Sequence, residues 1–255
     1  MKISPLALTL LPLAAAMPAP MSPPFVHPRG FESPPTTCVG AVIDITDYGA
    51  SPDATPLENQ AAINKALGAL APCDTLIIPA DHTFPVVGGI YAAGLLNNTI
   101  LFDGTLEFQY DEVDWPTDPN NKDKFKHCIQ FEESMDLAIS SSLPSGAQGT
   151  INGNGRIWWD MMIAGTLPGG GDSRPRMFEV SNCADVLIER IHLVNSPSWN
   201  LVVSAARAEI RDVFVETDRD YSDSNLYSSW KDTLKEWIVD ELSGLIPDKL
   251  LQVSP

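Results

Sequence analysis

The stretch that decides the fold is "VLIERIHLVNSPSWNLVV", residues 186–203. Apolar and polar residues alternate in its first half, as in a half-buried strand, and a turn and a second strand follow at once. Three apolar positions recur 22 residues further on, Ile188, Ile191 and Leu193 as Ile210, Val213 and Val215. A repeat of this length, made of short strands and polar corners, is typical of a parallel β-helix, in which coils bury their inner faces by stacking.

Upstream segments follow the same pattern. "NNTILFDGTLEF" has apolar alternation on both sides of a turn at Asp103-Gly104, and "CIQFEESMDLAI" resembles "MFEVSNCADVLI" in placing apolar runs around a polar corner. We predict an all-β fold, a parallel β-helix over residues 38–220, with a β-sandwich as the alternative.

Two helices are predicted at the ends of the solenoid. Thr55 as N-cap, Pro56 at the first position and Glu58 completing a capping box begin a helix over 56–70, which would cover the open end of the first coils. Residues 221–255 contain apolar residues at three- and four-residue spacing, which indicates an amphipathic helix. This tail could cap the last coil, lie over a cleft or bind a partner.

The N-terminal residues are typical of a secreted protein. Residues 1–16 have a lysine, an apolar run and small residues, the order of a signal peptide, and the run is shorter than the roughly 20 residues that span a membrane. Seven prolines in residues 17–37 predict an extended leader. We expect a secreted, extracellular protein with no membrane partner.

The cysteines fit secretion but leave their pairing open. Cys38, Cys73, Cys128 and Cys183 allow three pairings, and no CxxC spacing or Cys/His cluster indicates zinc. We predict no metal and no other cofactor. Asn97, in Asn97-Asn98-Thr99, is a candidate glycosylation site.

The net charge of −17 argues against nucleic acids and anionic membranes as partners. An enzyme with this charge would repel an acidic polysaccharide at neutral pH and would act better at low pH or higher salt. Alternatively, the acidity only keeps the protein soluble. We expect a monomer.

Several motifs together resemble a known family. "ITDYGASPDATPLENQAAINKAL" and "CDTLIIPA" resemble the start of the pectin-lyase-like right-handed β-helices, and "INGNGRIWWD", "SRPRMFEV" and "IERIHLVNSPSWNL" resemble glycoside hydrolase family 28, the polygalacturonase and rhamnogalacturonase group. The resemblance covers about residues 40–220. It implies a right-handed solenoid and a first disulfide between Cys38 and Cys73.

The resemblance also implies a reaction, the inverting hydrolysis of α-galacturonic linkages in plant cell-wall pectin. Such chemistry needs a carboxylic acid and a carboxylate base on opposite sides of the bond. The family carries its acids as an NTDG segment and a DD pair, followed by a GHG histidine and an RIK pair, and none of these occurs here. We predict no catalytic residue in this chain and expect those residues downstream of Pro255. Asp218, Asp220 and Asp223 are interpreted as a solvated loop.

The candidate substrate-binding residues are Trp158, Arg174 and Arg176. A guanidinium matches a uronate carboxylate, and a tryptophan ring can stack on a sugar. On a strand, Trp158 and Trp159 would point to opposite faces, so only one could face a cleft. The alternatives are a core tryptophan and structural arginines in a surface loop. Trp199 is interpreted as a core residue.

Two other functions remain open. A non-catalytic carbohydrate-binding β-helix would bind oligogalacturonides without cleaving them. A pectate-lyase-type eliminase would require calcium and would form an unsaturated product that absorbs in the ultraviolet.

Overall fold

The computed structural model describes residues 38–111, 113–170 and 173–217. Two α-helices, α1 (Pro56–Gly68) and α2 (Arg156–Ala164), interrupt a series of short strands. The strands are β1 (Val42–Asp44), β2 (Thr75–Ile78), β3 (Thr83–Val86), β4 (Ile90–Ala93), β5 (Thr99–Phe102), β6 (Thr105–Phe108), β7 (Thr117–Asp118), β8 (Asn121–Phe125), β9 (Ile129–Glu132), β10 (Met135–Ser140), β11 (Thr150–Asn152), β12 (Phe178–Val194), β13 (Leu201–Ala205) and β14 (Ala208–Glu216).

Parts of the sequence prediction fall outside these residues. They are the signal peptide at 1–16, the leader at 17–37, the tail at 221–255 and the acidic residues Asp218, Asp220 and Asp223. Within the described ranges, no helix is both long enough and apolar enough to cross a membrane.

Apart from the antiparallel pair β7 and β8, the strands form three parallel stacks. The first stack contains β1, β2, β5, β10, the middle of β12 and the start of β14. The second contains β3, β6, β11 and the ends of β12 and β14, and the third contains β4, β9, the start of β12 and β13. The prediction of a parallel β-helix is confirmed, and the β-sandwich alternative is wrong.

The 22-residue repeat corresponds to one coil of this solenoid. The inward residues pair as the sequence predicts, Ile188 with Ile210, Ile191 with Val213 and Leu193 with Val215. The two similar segments upstream also lie in register, since Phe131 pairs with Val180 and Leu137 with Val186. Sequence similarity between segments therefore reports which strands stack.

Polar residues at the corners turn the chain from one stack to the next. Asn97, Asp136 and Asp185 have φ values of 56°, 53° and 57°, a left-handed conformation that Asn and Asp tolerate better than most residues. They occupy equivalent corners of successive coils, because Leu96 bridges to Met135 and Met135 pairs with Ala184. Asp185, together with Arg190, whose φ is 50°, turns β12 through all three stacks without interrupting it.

The interior is packed with apolar side chains from all three stacks. Phe178 is fully buried, and its ring meets the edges of Phe102 and Phe131 at centroid distances of 6.1 and 5.7 Å. Such edge-to-face pairs add to the stabilisation that burial provides. Three coils are thereby tied together at one point of the core.

The first helix has the predicted N-terminus. Thr55 Oγ1 accepts a hydrogen bond from the Glu58 N–H, and Glu58 Oε2 accepts from the Thr55 N–H. The hydrogen bonds from Thr55 also lower the pKa of Glu58. The apolar face of α1 is buried against β3, β4 and the 3₁₀ helix at Ile45–Tyr48.

The four cysteines divide into one disulfide and two free thiols. Cys38 and Cys73 are joined, with Cα atoms 5.5 Å apart, as the family resemblance implied. Cys128 and Cys183 are free and buried. Burial raises the pKa of the Cys128 thiol well above its ordinary value, so this side chain acts as an apolar core residue.

Candidate functional site

The outward face of the third stack carries the polar side chains of the candidate site. Side chains alternate along each strand, so the residue after each buried one points outward. In the strand register, Tyr91 lies beside Gln130, Gln130 beside Glu179, and Glu179 beside Val202. The row crosses four coils along the solenoid axis, about 14 Å at the usual strand spacing.

Glu132 is the centre of a hydrogen-bond network on this face. Its Oε2 accepts from the Tyr91 hydroxyl at 3.0 Å, and its Oε1 accepts from Gln130 Nε2 at 2.7 Å and from Ser181 Oγ at 3.2 Å. Partial burial and the bond to Glu132 raise the pKa of Tyr91. These contacts fix the Glu132 carboxylate and span β4, β9 and β12.

His127, Glu179 and Arg176 form a second polar cluster next to this network. His127 Nε2 lies 3.0 Å from Glu179 Oε2, and Arg176 Nη1 donates to the same oxygen at 2.8 Å. His127 Nδ1 accepts from the Arg176 backbone N–H at 3.1 Å. Because Nδ1 is an acceptor and Nε2 faces a carboxylate, the ring is assigned as the neutral Nε2–H tautomer.

The electrostatic surroundings agree with a neutral His127. Burial lowers its pKa below the ordinary value, and the charges of Arg176 and Lys124 lower it further. Glu179 and Glu132 act in the opposite direction without reversing the shift. At neutral pH the ring therefore donates to Glu179 without adding a charge to the face.

Arg176 and Trp199 come from adjacent coils at the entrance to this face. Arg176 lies just before β12 and Trp199 just before β13, and the Met177 N–H donates to the Trp199 carbonyl at 2.9 Å. The Arg176 side chain is 39% exposed and Trp199 is 54% exposed. Trp199 is therefore a surface residue, and its interpretation as a core residue is wrong.

The other predicted contacts are placed differently. The Arg174 guanidinium stacks over the Trp159 ring at 4.0 Å and donates to the Pro197 carbonyl at 3.2 Å. The Trp159 indole N–H donates to the Ser196 carbonyl at 2.9 Å. Arg174 is thus bound into a loop contact with Trp159 and Pro197.

Trp158 is a core residue and not the exposed stacking platform that the sequence suggested. It is 1% exposed and surrounded by Tyr110, Trp115 and Phe125 at centroid distances of 4.8 to 4.9 Å. The expected strand is α2, so the alternation that separated Trp158 from Trp159 does not apply. On a helix, neighbouring residues are about 100° apart and only one of the two reaches the core.

The predicted glycosylation site lies at a corner of the first stack. Asn97 is half-buried, and its side-chain amide lies 3.9 Å from the Cys73 sulfur of the disulfide. Glycosylation of Asn97 stays a prediction.

A cavity of about 260 Å³ opens beside the row, between β4, β9 and the antiparallel hairpin of β7 and β8. Its lining includes two lysines, one aspartate and the neutral histidine. The lining residues are Gly89, Ile90, Tyr91, Asp118, Pro119, Lys124, Phe125, Lys126, His127 and Gln130. Across residues 38–111, 113–170 and 173–217, no group of three His, Cys, Asp or Glu side chains is placed to hold a metal ion.

Sequence reasoning missed His127, Glu132 and Glu179. Each of these residues stands next to an apolar residue in "KHCIQFEE" or "RMFEVSN", a pattern that indicates strands but does not mark the three as a cluster. The signal that joins them is the 49-residue spacing of the two similar segments, since Glu132 pairs with Ser181 across it.

The model of the family "Glycosyl hydrolases family 28" matches residues 73–226, more than half of the sequence. The chain belongs to this family. A probable polygalacturonase of Vitis vinifera is 40% identical over 63 residues, which is 25% of this chain and 12% of the relative. A polygalacturonase of Persea americana is 24% identical over 169 residues, 66% of this chain and 34% of the relative.

A solved structure has a similar fold. The endo-xylogalacturonan hydrolase of Aspergillus tubingensis superposes with a TM-score of 0.57 at 19% identity, over 72% of this chain and 44% of that one. The chain spans about a third or less of the length of the curated relatives it matches. The covered share of each relative lies between 12% and 34%.

Proposed function

We propose that this protein is a secreted pectin-degrading glycoside hydrolase, which cleaves α-galacturonic linkages with inversion. The outward face of the third stack would bind the acidic polysaccharide. Family membership and relatives named polygalacturonases support the substrate class. The observation that carries the binding face is that a partly exposed guanidinium, Arg176, and an exposed indole, Trp199, precede neighbouring strands on adjacent coils.

The two side chains suit the two parts of a uronate sugar. Glu179 accepts a hydrogen bond from one N–H of Arg176 at 2.8 Å, which holds the Arg176 side chain in place. An arginine has five N–H donors in all. The remaining donors can pair with a sugar carboxylate, while the flat Trp199 ring can stack on the pyranose. The outward row from Val202 through Glu179 and Gln130 to Tyr91 runs along the solenoid axis, so a polysaccharide bound to it would lie across the coils.

Cleavage needs groups that this face lacks. Inverting hydrolysis uses an acid and a base about 6.5 to 9.5 Å apart, with space for a water. Glu132 and Glu179 lie on the face, but both oxygens of Glu132 accept bonds from Tyr91, Gln130 or Ser181, and Glu179 Oε2 is engaged by His127 and Arg176. We therefore assign this part of the protein to substrate binding, and we expect bond cleavage to depend on the NTDG and DD acids of the family.

Binding of trigalacturonate to the purified 255-residue chain, measured by calorimetry, tests the face. We expect Arg176→Gln and Trp199→Ala each to weaken binding about tenfold, the size of one charge-assisted or stacking contact. Arg211→Gln is the matched control, because Arg211 also binds a glutamate of β12, Glu189, but lies in the first stack. Equal affinity of wild type and Arg176→Gln, or no binding at all, would contradict the proposed face.

Product analysis of the same mixtures separates the candidate reactions. We expect no new reducing ends from this chain. New reducing ends without ultraviolet absorbance would place the catalytic acids within these residues, and a calcium-dependent unsaturated product would favour an eliminase. Sequencing the transcript beyond the codon for Pro255 tests the hydrolase itself: an open frame with NTDG and DD supports it, and a stop codon favours a non-catalytic binding module.

A further inference from the structure

We propose that the cavity between β4, β9 and the β7–β8 hairpin is a separate subsite for one anionic sugar unit, with Lys124 and Lys126 binding its carboxylate. The proposal rests on the proposed function, because it names a second contact for the same acidic polysaccharide. The residues that carry it are distinct from Arg176 and Trp199.

The size of the cavity limits its occupant. A volume of about 260 Å³ lies just below the range of pockets that hold drug-sized ligands, so it suits one sugar ring and not several. The cavity shares Tyr91 and Gln130 with the outward row. A chain bound along the row could therefore place one unit in the cavity.

The charge of the cavity is opposite to that of the whole protein. Lys124 and Lys126 line it, with Asp118 as the acidic residue of the lining, while the sequence as a whole has 33 acidic and 16 basic residues. His127 adds a ring without a charge, because burial and the charges of Arg176 and Lys124 lower its pKa. A local positive charge in an acidic protein favours an anion at that place.

The walls of the cavity are held in place before a ligand binds. On the hairpin side, the Lys126 N–H donates to the Pro116 carbonyl at 2.9 Å, and the Trp115 indole donates to the Lys126 carbonyl at 3.0 Å. On the β4 side, Asn64 of α1 donates to the Gly89 carbonyl and accepts from the Tyr91 N–H, both at 2.9 Å. Fixed walls reduce the entropy lost when a ligand is ordered.

The test compares the affinities of the chain for trigalacturonate and for the neutral trimer of galactose. We expect Lys124→Gln with Lys126→Gln to weaken trigalacturonate binding about tenfold and to leave the weaker binding of the neutral trimer unchanged. Lys122→Gln is the matched control, since Lys122 lies on β8 but outside the cavity lining. It should bind like wild type.

A third variant should act in the opposite direction. Asp118→Asn removes the acidic charge and keeps the oxygen that accepts from the Asn120 N–H at 2.8 Å, so trigalacturonate should bind severalfold more tightly. If the lysine pair and Asp118→Asn both bind like wild type while Arg176→Gln is weakened, the subsite is wrong and the binding face stands. If wild type binds neither trimer, both proposals fail.

Discussion

His127 contributes to stability in a way that depends on pH. In the folded protein its pKa lies below 6.5, because of burial first and then of Arg176 and Lys124, with Glu179 opposing. The unfolded chain therefore takes up a proton near pH 6.5 that the folded protein does not, and stability falls as pH drops from about 7 towards the folded pKa. We predict that the free energy of unfolding declines less between pH 7 and 5.5 in His127→Gln than in wild type, as measured by urea denaturation.

His82→Gln is the control for this prediction, because His82 is an exposed histidine bonded to its own turn at Ala80. An unchanged pH dependence in His127→Gln would contradict a buried neutral ring.

The sequence predicted the exposure of single residues poorly. Trp158, a candidate for sugar stacking, is buried, and Trp199, interpreted as a core residue, is exposed. Alternation cannot predict exposure where a helix such as α2 replaces a strand, or where a residue sits in a loop before one.

The helix α1 is anchored to the solenoid by one buried polar side chain. Asn59 is 0% exposed, accepts from the Ser51 N–H at 2.8 Å, and donates to the Ser51 and Pro85 carbonyls at 2.9 Å. We predict that Asn59→Ala lowers the free energy of unfolding by about 2–4 kcal/mol, because it leaves buried backbone groups without partners. Lys65→Ala, on the exposed side of the same helix, should cost less than about 1 kcal/mol. Equal losses in urea denaturation would show that Asn59 is not an anchor.

Elements were predictable where local chemistry determines them. The capping box fixes the start of α1, and the Asp103-Gly104 turn separates β5 from β6 as expected. The contacts across coils were not visible in the sequence. Asp103, for example, accepts from the Ser141 and Ser142 hydroxyls of the next coil at 2.7 and 2.6 Å, and nothing local to Asp103 indicates which serines will face it.

At the scale of the whole molecule, the fold could be predicted because the sequence repeats. Each coil repeats the positions of the one before, so a spacing of 22 residues sufficed to align β12 with β14. The candidate face was harder to predict, because its residues come from several coils and each is unremarkable alone. Only stacking brings His127, Glu132 and Glu179 onto one surface.

The net charge of −17 and the basic cavity act on a polyanion over different distances. Raising the ionic strength from 0.01 to 0.1 M shortens the Debye length from about 30 to about 10 Å, which screens distant repulsion more than contacts inside the cavity. We predict that the association rate constant for long polygalacturonate, measured by stopped flow, rises about two- to tenfold over this range. A neutral galactan should show no such rise. If the rate for polygalacturonate falls with salt instead, attraction by the binding face dominates the approach, and the acidity of the rest of the surface does not oppose it.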